Sequence, residues 1–275
     1  MLPGLIYSVL VPVDFSRQSV WALSVAAMLV KNNKGIIHLL HVVDSRIDYE
    51  KETLEKIRIN LFEFAQEQQQ LLGVSIIPSI ERGNIFQSIG DTANRLGAKI
   101  IIMGTHGVKG IQKVIGSFAV RVMLGSKIPV ILIKDQFISQ NFNKIIIPND
   151  TLTTIDIVTE KVIESGKVIH GNIYLFNLLR TMSAFRKVKI MGQIKRTLNK
   201  LNSAGYNSES IVIQNDIQDF TNLIIRYAKN INADMIAISL QSKKPGKEFQ
   251  ISDLAMNLIN KAPIPIYVVN PEVIK

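Results

Sequence analysis

The 275-residue chain carries 32 Lys and Arg against 22 Asp and Glu, a formal charge of +10, with 47% apolar residues and no cysteine. That apolar content supports substantial cores and is too high for disorder, while the missing cysteines exclude disulfide frameworks, thiolate catalysis and cysteine-held metals. The length fits one large α/β domain or two of about 140 residues.

No apolar run reaches the roughly 18–20 residues that a spanning helix needs. The stretch Leu2–Val13 is apolar but lacks a basic start and a small-residue cleavage site, so it reads as a strand rather than a signal peptide. A cytoplasmic protein with no membrane partner is the simplest expectation. Residues 1–138 hold 15 basic and 11 acidic side chains and residues 139–275 hold 17 and 11, so both halves are basic. Such a balance suits anionic ligands and says nothing of fold.

In chain order, Leu5–Val13 reads as a buried strand. Ser16 caps a helix with Val20, Leu23 and Ala27 inward. Ile36–Val43 is the second strand. Leu54, Ile57, Leu61, Phe64 and Leu71 mark a longer amphipathic helix that Gly73 stops. Val74–Ile80 is the third strand, and Ile85, Ile89, Ala93 and Leu96 mark the third helix. Lys99–Met103 is the fourth strand, followed by a glycine-rich loop, a helix from Ser117 to about Ser126, and the strand Val130–Ile133. Repeated alternation of strand and helix implies a parallel sheet covered on both faces.

The second half repeats this plan. V-P-V-D at Val11–Asp14 returns as I-P-N-D at Ile147–Asp150, A-K-I-I-I-M-G at Ala98–Gly104 as A-D-M-I-A-I-S at Ala233–Ser239, and I-P-V-I-L-I at Ile128–Ile133 as I-P-I-Y-V-V at Ile264–Val269. The offset stays at 135 or 136 residues, which marks a duplication. Two similar domains are expected, 1–138 and 139–275, joined by a short polar linker at about Asp135–Asn143. Further strands fall at Lys144–Pro148, Tyr174–Leu178 and Ile211–Ile213, with a helix around Ile217–Ala228. A helix before Gly205 is expected to turn Phe185, Val188, Ile194, Leu198 and Leu201 inward. Its basic residues, from Arg180 to Lys200, read as a solvated face, and no nucleic-acid partner is expected.

The repeats differ after the fourth strand. The first carries Gly104, Gly107, Gly110 and Gly116-Ser117, whereas the second has Ser239-Leu240-Gln241-Ser242 and no Gly-Ser pair before its last helix. Glycines between a strand and a helix start let backbone N–H groups approach an anion, most often a phosphate. Since the second copy makes its turn without them, the glycines point to a ligand in the first. In a doubly wound sheet the ligand crevice lies beyond the carboxyl ends of strands, so Asp14 and Gly104 face one site if strands one and four are neighbours. Asp14 would accept hydrogen bonds from a ribose hydroxyl or an adenine amino group, and helix capping is its alternative role. Gly107, Gly116 and Ser117 would supply donors to phosphates, with His106, Lys109 and Lys113 nearby. There is no Walker A loop, dinucleotide fingerprint after the first strand, nucleophile elbow or metal-binding motif. His38 and His41 read as core or strand-end residues. No positioned base or metal-binding carboxylate pair marks the chain as an enzyme, although weak ATP hydrolysis stays open.

The combination V-P-V-D-F-S, L-L-H-V-V-D and G-T-H-G…G-S-F followed by I-P-V-I-L-I resembles the universal stress proteins in a tandem form. The resemblance is specific in the first half and topological in the second. It implies an α/β fold of two tandem doubly wound domains, each with a five-stranded parallel sheet of order 3-2-1-4-5, like the adenine nucleotide alpha hydrolases. It implies ATP or AMP as cofactor, with Mg accompanying ATP, held by Pro12, Val13, Asp14 and Val42 at the adenosine. Met103 and Gly104 would line the ribose side, and Gly107, Gly116, Ser117 and Phe118 the phosphates. It further implies a role in stress response or signalling, a degenerate second domain available to a protein partner, and homodimer formation. The alternative is an adaptor that binds no nucleotide. One departure stands out: Val108–Ile115 gives eight residues between Gly107 and Gly116, one fewer than is usual in ATP-binding members.

Overall fold

Near-continuous apolar runs such as Val9-Leu10-Val11 and Ile100-Ile101-Ile102 suit strands covered on both faces, and all six of these residues are fully buried. They lie at the centre of the first unit in the computed structural model, which describes residues 7–105, 117–135, 141–150, 155–165, 171–179, 183–214, 219–243 and 249–271. The chain divides into two compact units, Met1–Phe137 and Ile138–Lys275.

The first unit runs β1 (Ser8–Pro12), α1 (Arg17–Asn33), β2 (Ile36–Asp44), α2 (Lys51–Leu72), β3 (Ser75–Gly83), α3 (Ile85–Arg95), β4 (Ile100–Gly104), α4 (Ser117–Gly125) and β5 (Val130–Ile133). Its strands lie in the order β3-β2-β1-β4-β5, all paired in parallel. Ser16 caps α1 by accepting the Ser19 N–H at 3.3 Å, and Ala22, Leu23, Ala26 and Val30 bury the inner stripe of that helix. Gly73 closes α2 with a φ of +64° and donates its N–H to the Gln69 carbonyl, a left-handed cap that glycine adopts without strain. Leu71, expected inward, is 74% exposed in the last turn of α2, where Leu61, Ala65 and Gln68 form the buried row.

The outer edge of β3 is blunted. Gln69 Oε1 accepts the Ile76 N–H at 3.0 Å, and Pro78, on the same side of the strand, carries no N–H. Both devices remove donors that would template pairing with another chain.

The second unit runs β6 (Lys144–Asn149), α5 (Ile155–Glu164), β7 (Asn172–Leu179), α6 (Ala184–Ser203), β8 (Asn207–Gln214), α7 (Phe220–Ile231), β9 (Met235–Ser239), β10 (Gln241–Lys243), β11 (Phe249–Ile251), α8 (Asp253–Lys261) and β12 (Ile266–Val269). Its parallel strands follow the order β8-β7-β6-β9-β12, the same winding as in the first unit. The antiparallel hairpin β10–β11 follows β9 at the chain position of the first unit's glycine loop. Apolar periodicity gave no sign of it.

The expected inner face of α6 is wrong at its start. Phe185 and Val188 are 81% and 71% exposed, whereas Ile190, Gln193, Ile194, Thr197 and Leu201 are buried. The buried row steps by three and four residues but contains two polar side chains. Gln193 is accommodated by donating Nε2–H to Asp156 Oδ2 of α5 at 2.9 Å. Ile194 and Leu201 are buried as expected and Leu198 packs against the core, so the apolar count failed only in the first turns.

Candidate functional site

The order in which strands are added to the first sheet reverses between β1 and β4: β2 and β3 lie to one side, β4 and β5 to the other. Connections leaving neighbouring strands to opposite faces open a crevice at their carboxyl ends. A cavity of about 240 Å³ lies there. The end of β1 contributes Pro12, Val13 and Asp14, β2 contributes Leu40 and Val42, and the end of β4 contributes Met103, Gly104 and Thr105. Ile85 and Ile89 of α3, Phe118 and Ala119 of α4 and Ser19 of α1 complete it. Pro12, Val13, Asp14, Val42, Met103, Gly104 and Phe118, named together by the family resemblance, line this one cavity. Ser117 opens α4. His106, Gly107 and Gly116 lie outside the described residues, as do Lys109 and Lys113.

Local geometry explains how Asp14 reaches the rim. Val13 donates its N–H to the Leu40 carbonyl at 2.8 Å, carrying the β1–β2 ladder one residue past Pro12. The chain then turns at Phe15, whose φ is +60°, a conformation uncommon for a bulky residue. Asp14 Oδ1 accepts the backbone N–H of Ser16 at 3.1 Å and its hydroxyl at 2.5 Å. Ser16, and not Asp14, is therefore the helix cap, and Asp14 supports it from the cavity side. The Phe15 ring lies 5.3 Å from His41 and meets Phe64 edge-on at 5.6 Å, which offsets the cost of its left-handed backbone.

His41 is the residue that sequence reading undervalued. Its Nδ1 lies 2.8 Å from the Val13 carbonyl oxygen. A carbonyl only accepts, so Nδ1 carries the proton. The ring thereby fixes the peptide immediately before Asp14. The available signal was the parallel register, which pairs Pro12 with Leu40 and brings the next residues, Val13 and His41, side by side. His38, three residues earlier, is buried, and burial lowers its pKa from the ordinary 6.5.

Gly104 has a packing reason as well as a place in the cavity. A Cβ added there would meet the Gln18 carbonyl carbon and oxygen at 2.3 Å, so α1 crosses the end of β4 too closely for any side chain. The presence of Ser239 in the second repeat had argued against such a reason, and the close approach of α1 supplies it.

The apolar walls suit a flat heterocyclic base, and Asp14 at the rim is an acceptor suited to ribose hydroxyls. The start of α4, a nine-residue helix, offers N–H groups suited to an anion. An adenine nucleotide fits this donor and acceptor set. Among the described residues, no group of three His, Asp or Glu side chains is placed to hold a metal ion.

The second unit is built differently at the same place. By register Asn149 stands in the position of Val13 and Asn177 in that of His41. Asn149 Nδ2 donates to Asn177 Oδ1 at 2.9 Å, and Asn177 Nδ2 donates to the Leu175 carbonyl at 2.8 Å. Both amides are buried. Leu240, directly after β9, is fully buried where the first unit has Thr105 beside its cavity.

These features define a doubly wound α/β protein with a small-molecule cavity at the switch point of its first sheet. Residues 7–134 match the family model of the universal stress protein family. A universal stress protein of Staphylococcus haemolyticus is 23% identical over 146 residues, which cover 49% of this chain and 88% of that one. A universal stress protein structure from Archaeoglobus fulgidus superposes with a TM-score of 0.74 at 19% identity, covering 96% of this chain and 98% of that one. A structure from Pseudomonas aeruginosa described as functionally unknown gives 0.69 at 16% identity, covering 98% and 94%. The match to the universal stress protein family lies in the first unit.

Proposed function

We propose that the first unit binds an adenine nucleotide, ATP or AMP, in the cavity between β1 and β4, and that the protein serves a cytoplasmic stress response or signalling role by binding rather than catalysis. The observation that carries this reading is the convergence of Asp14, Val42, Met103 and Gly104 on one cavity of about 240 Å³ at the switch point. The base would lie against Pro12, Leu40 and Val42. The Asp14 carboxylate, oriented by Ser16, would accept from the ribose, and the phosphates would run toward the start of α4. A bound ATP would bring its own Mg. The second unit, with a buried amide pair in place of Val13 and His41, would serve structure or a protein partner, including a second copy of the chain.

Mass spectrometry of small molecules released from the purified protein tests the reading, followed by calorimetry with ATP and AMP. One nucleotide per chain is expected, and Asp14→Ala should weaken binding about tenfold or more, consistent with loss of hydrogen bonds to a charged acceptor. Two equivalents per chain would refute the assignment of the second unit. No heat with either nucleotide at millimolar concentration would favour the adaptor reading instead.

A further inference from the structure

The start of α6 reverses the usual amphipathic plan. Residues 183–189 are all exposed. Phe185 and Val188 are 81% and 71% accessible, and Met191 continues the row at 43%. Three-residue spacing places these side chains on one stripe, opposite the buried stripe of Ile190, Ile194 and Leu201. Cations border it: at about 100° per residue, Lys189 and Arg196 fall on one side and Lys187 on the other, with Lys195 in line with the stripe. All four are exposed. The first turn of α6 contains no acidic residue, and none occurs between Gly166 and Ser208. Among the described residues, the ion pair on α6 is at its far end, where Lys200 meets Glu160 at 2.6 Å.

We propose that the first half of α6 is a peripheral docking segment for an anionic phospholipid bilayer. Its chemistry matches that surface: apolar side chains for the boundary between headgroups and acyl chains, and Lys and Arg for the lipid phosphates. The alternatives fit less well. A nucleic acid would use the cations and leave the aliphatic Val188 and Met191 in water, outside any phosphate contact. A folded acidic protein needs a patch of roughly 800 Å² per partner. The ridge from Phe185 to Lys195 is about 15 Å long by helical rise and convex. A deformable anionic interface accepts a short convex ridge without a matching groove.

Co-sedimentation of the full chain with vesicles tests this, using phosphatidylcholine alone and phosphatidylcholine with about one-third phosphatidylserine. Binding is expected only to the anionic vesicles, with release as salt rises. Each cation contributes about fivefold to such partitioning, so combined Lys187→Glu, Lys189→Glu and Lys195→Glu should reduce binding by about a hundredfold or more. Phe185→Ser with Val188→Ser should reduce it about tenfold with the charges intact. Because these side chains are exposed, thermal unfolding should change little. Phe185→Trp gives a readout in the otherwise unaltered chain: its emission should shift to the blue on anionic vesicles, above the Trp21 background. The proposal is overturned by no binding, by equal binding to both vesicle types, by binding that survives either set of substitutions, or by tight nucleic-acid binding without vesicle binding.

Discussion

His41 Nδ1 lies 2.8 Å from the carbonyl oxygen of Val13, tying the carboxyl end of β2 to the turn that presents Asp14. The bond runs between neighbouring strands of the first sheet, so it fixes the peptide before Asp14 at the point where β1 ends. Replacing the ring removes a donor and the aromatic neighbour of Phe15 together. His41→Leu should cost about 1–2 kcal/mol of stability. It should also weaken nucleotide binding about fivefold or more by loosening Asp14. His41→Gln, which keeps a donor but no ring, should recover part of the affinity. Calorimetric titration of the three proteins with AMP distinguishes positioning from general destabilisation. Equal affinity for the parent and both variants would remove His41 from the site.

Gly104→Ala probes packing at the same cavity. The added Cβ would sit 2.3 Å from the Gln18 carbonyl group, and backbone cannot move aside as a flexible side chain can. A destabilisation of about 1–3 kcal/mol is expected from such overpacking. Thermal unfolding without nucleotide measures it free of any ligand effect. An unchanged melting temperature would show that α1 moves off β4 at little cost, and the glycine would then owe its place to the ligand alone.

The central strands were legible because buried parallel strands are written as unbroken apolar runs. Val130–Ile133 was placed to the residue, and the 136-residue offset of Pro12 and Pro148 exposed the duplication. The place of the cavity was legible too, because Asp14 lies just past the first strand and Gly104 ends the fourth. What stayed hidden depends on three-dimensional neighbours. The role of His41 arises from strand register, and that of Gly104 from the approach of α1. The inner stripe of α6 contains Gln193 and Thr197, which no count of apolar residues includes. The hairpin β10–β11 has strands of three residues each, too short to carry a period.

The edge of β3 makes a prediction about association. Gln69 Oε1 holds the Ile76 N–H at 3.0 Å, and Pro78 removes the next donor on that side. Ile77, between them, is 47% exposed. Gln69→Ala alone should cost under about 1 kcal/mol, since the freed N–H reaches water. Combined with Pro78→Val it restores two outward donors on a nine-residue strand, and concentration-dependent association should appear in sedimentation velocity. A double variant that stays unassociated at high concentration would show that another feature protects this edge.

His38 sets a pH dependence of stability. It lies in β2 at 8% exposure, and burial lowers its pKa below the ordinary 6.5. The unfolded chain therefore binds a proton on this ring at a higher pH than the folded chain does. Above about pH 6.5 both states are neutral and the ring has no effect on the balance. As the pH falls below 6.5 toward the lowered folded value, the unfolded state gains the proton first and stability is lost, at up to about 1.4 kcal/mol per pH unit. His38→Leu removes this contribution, so its unfolding free energy should fall less steeply between pH 6.5 and 5 than that of the parent. Urea unfolding at several pH values compares the slopes directly, independent of any offset from repacking. Identical slopes in the two proteins would show that the buried ring takes up its proton in the folded state as readily as in the unfolded one.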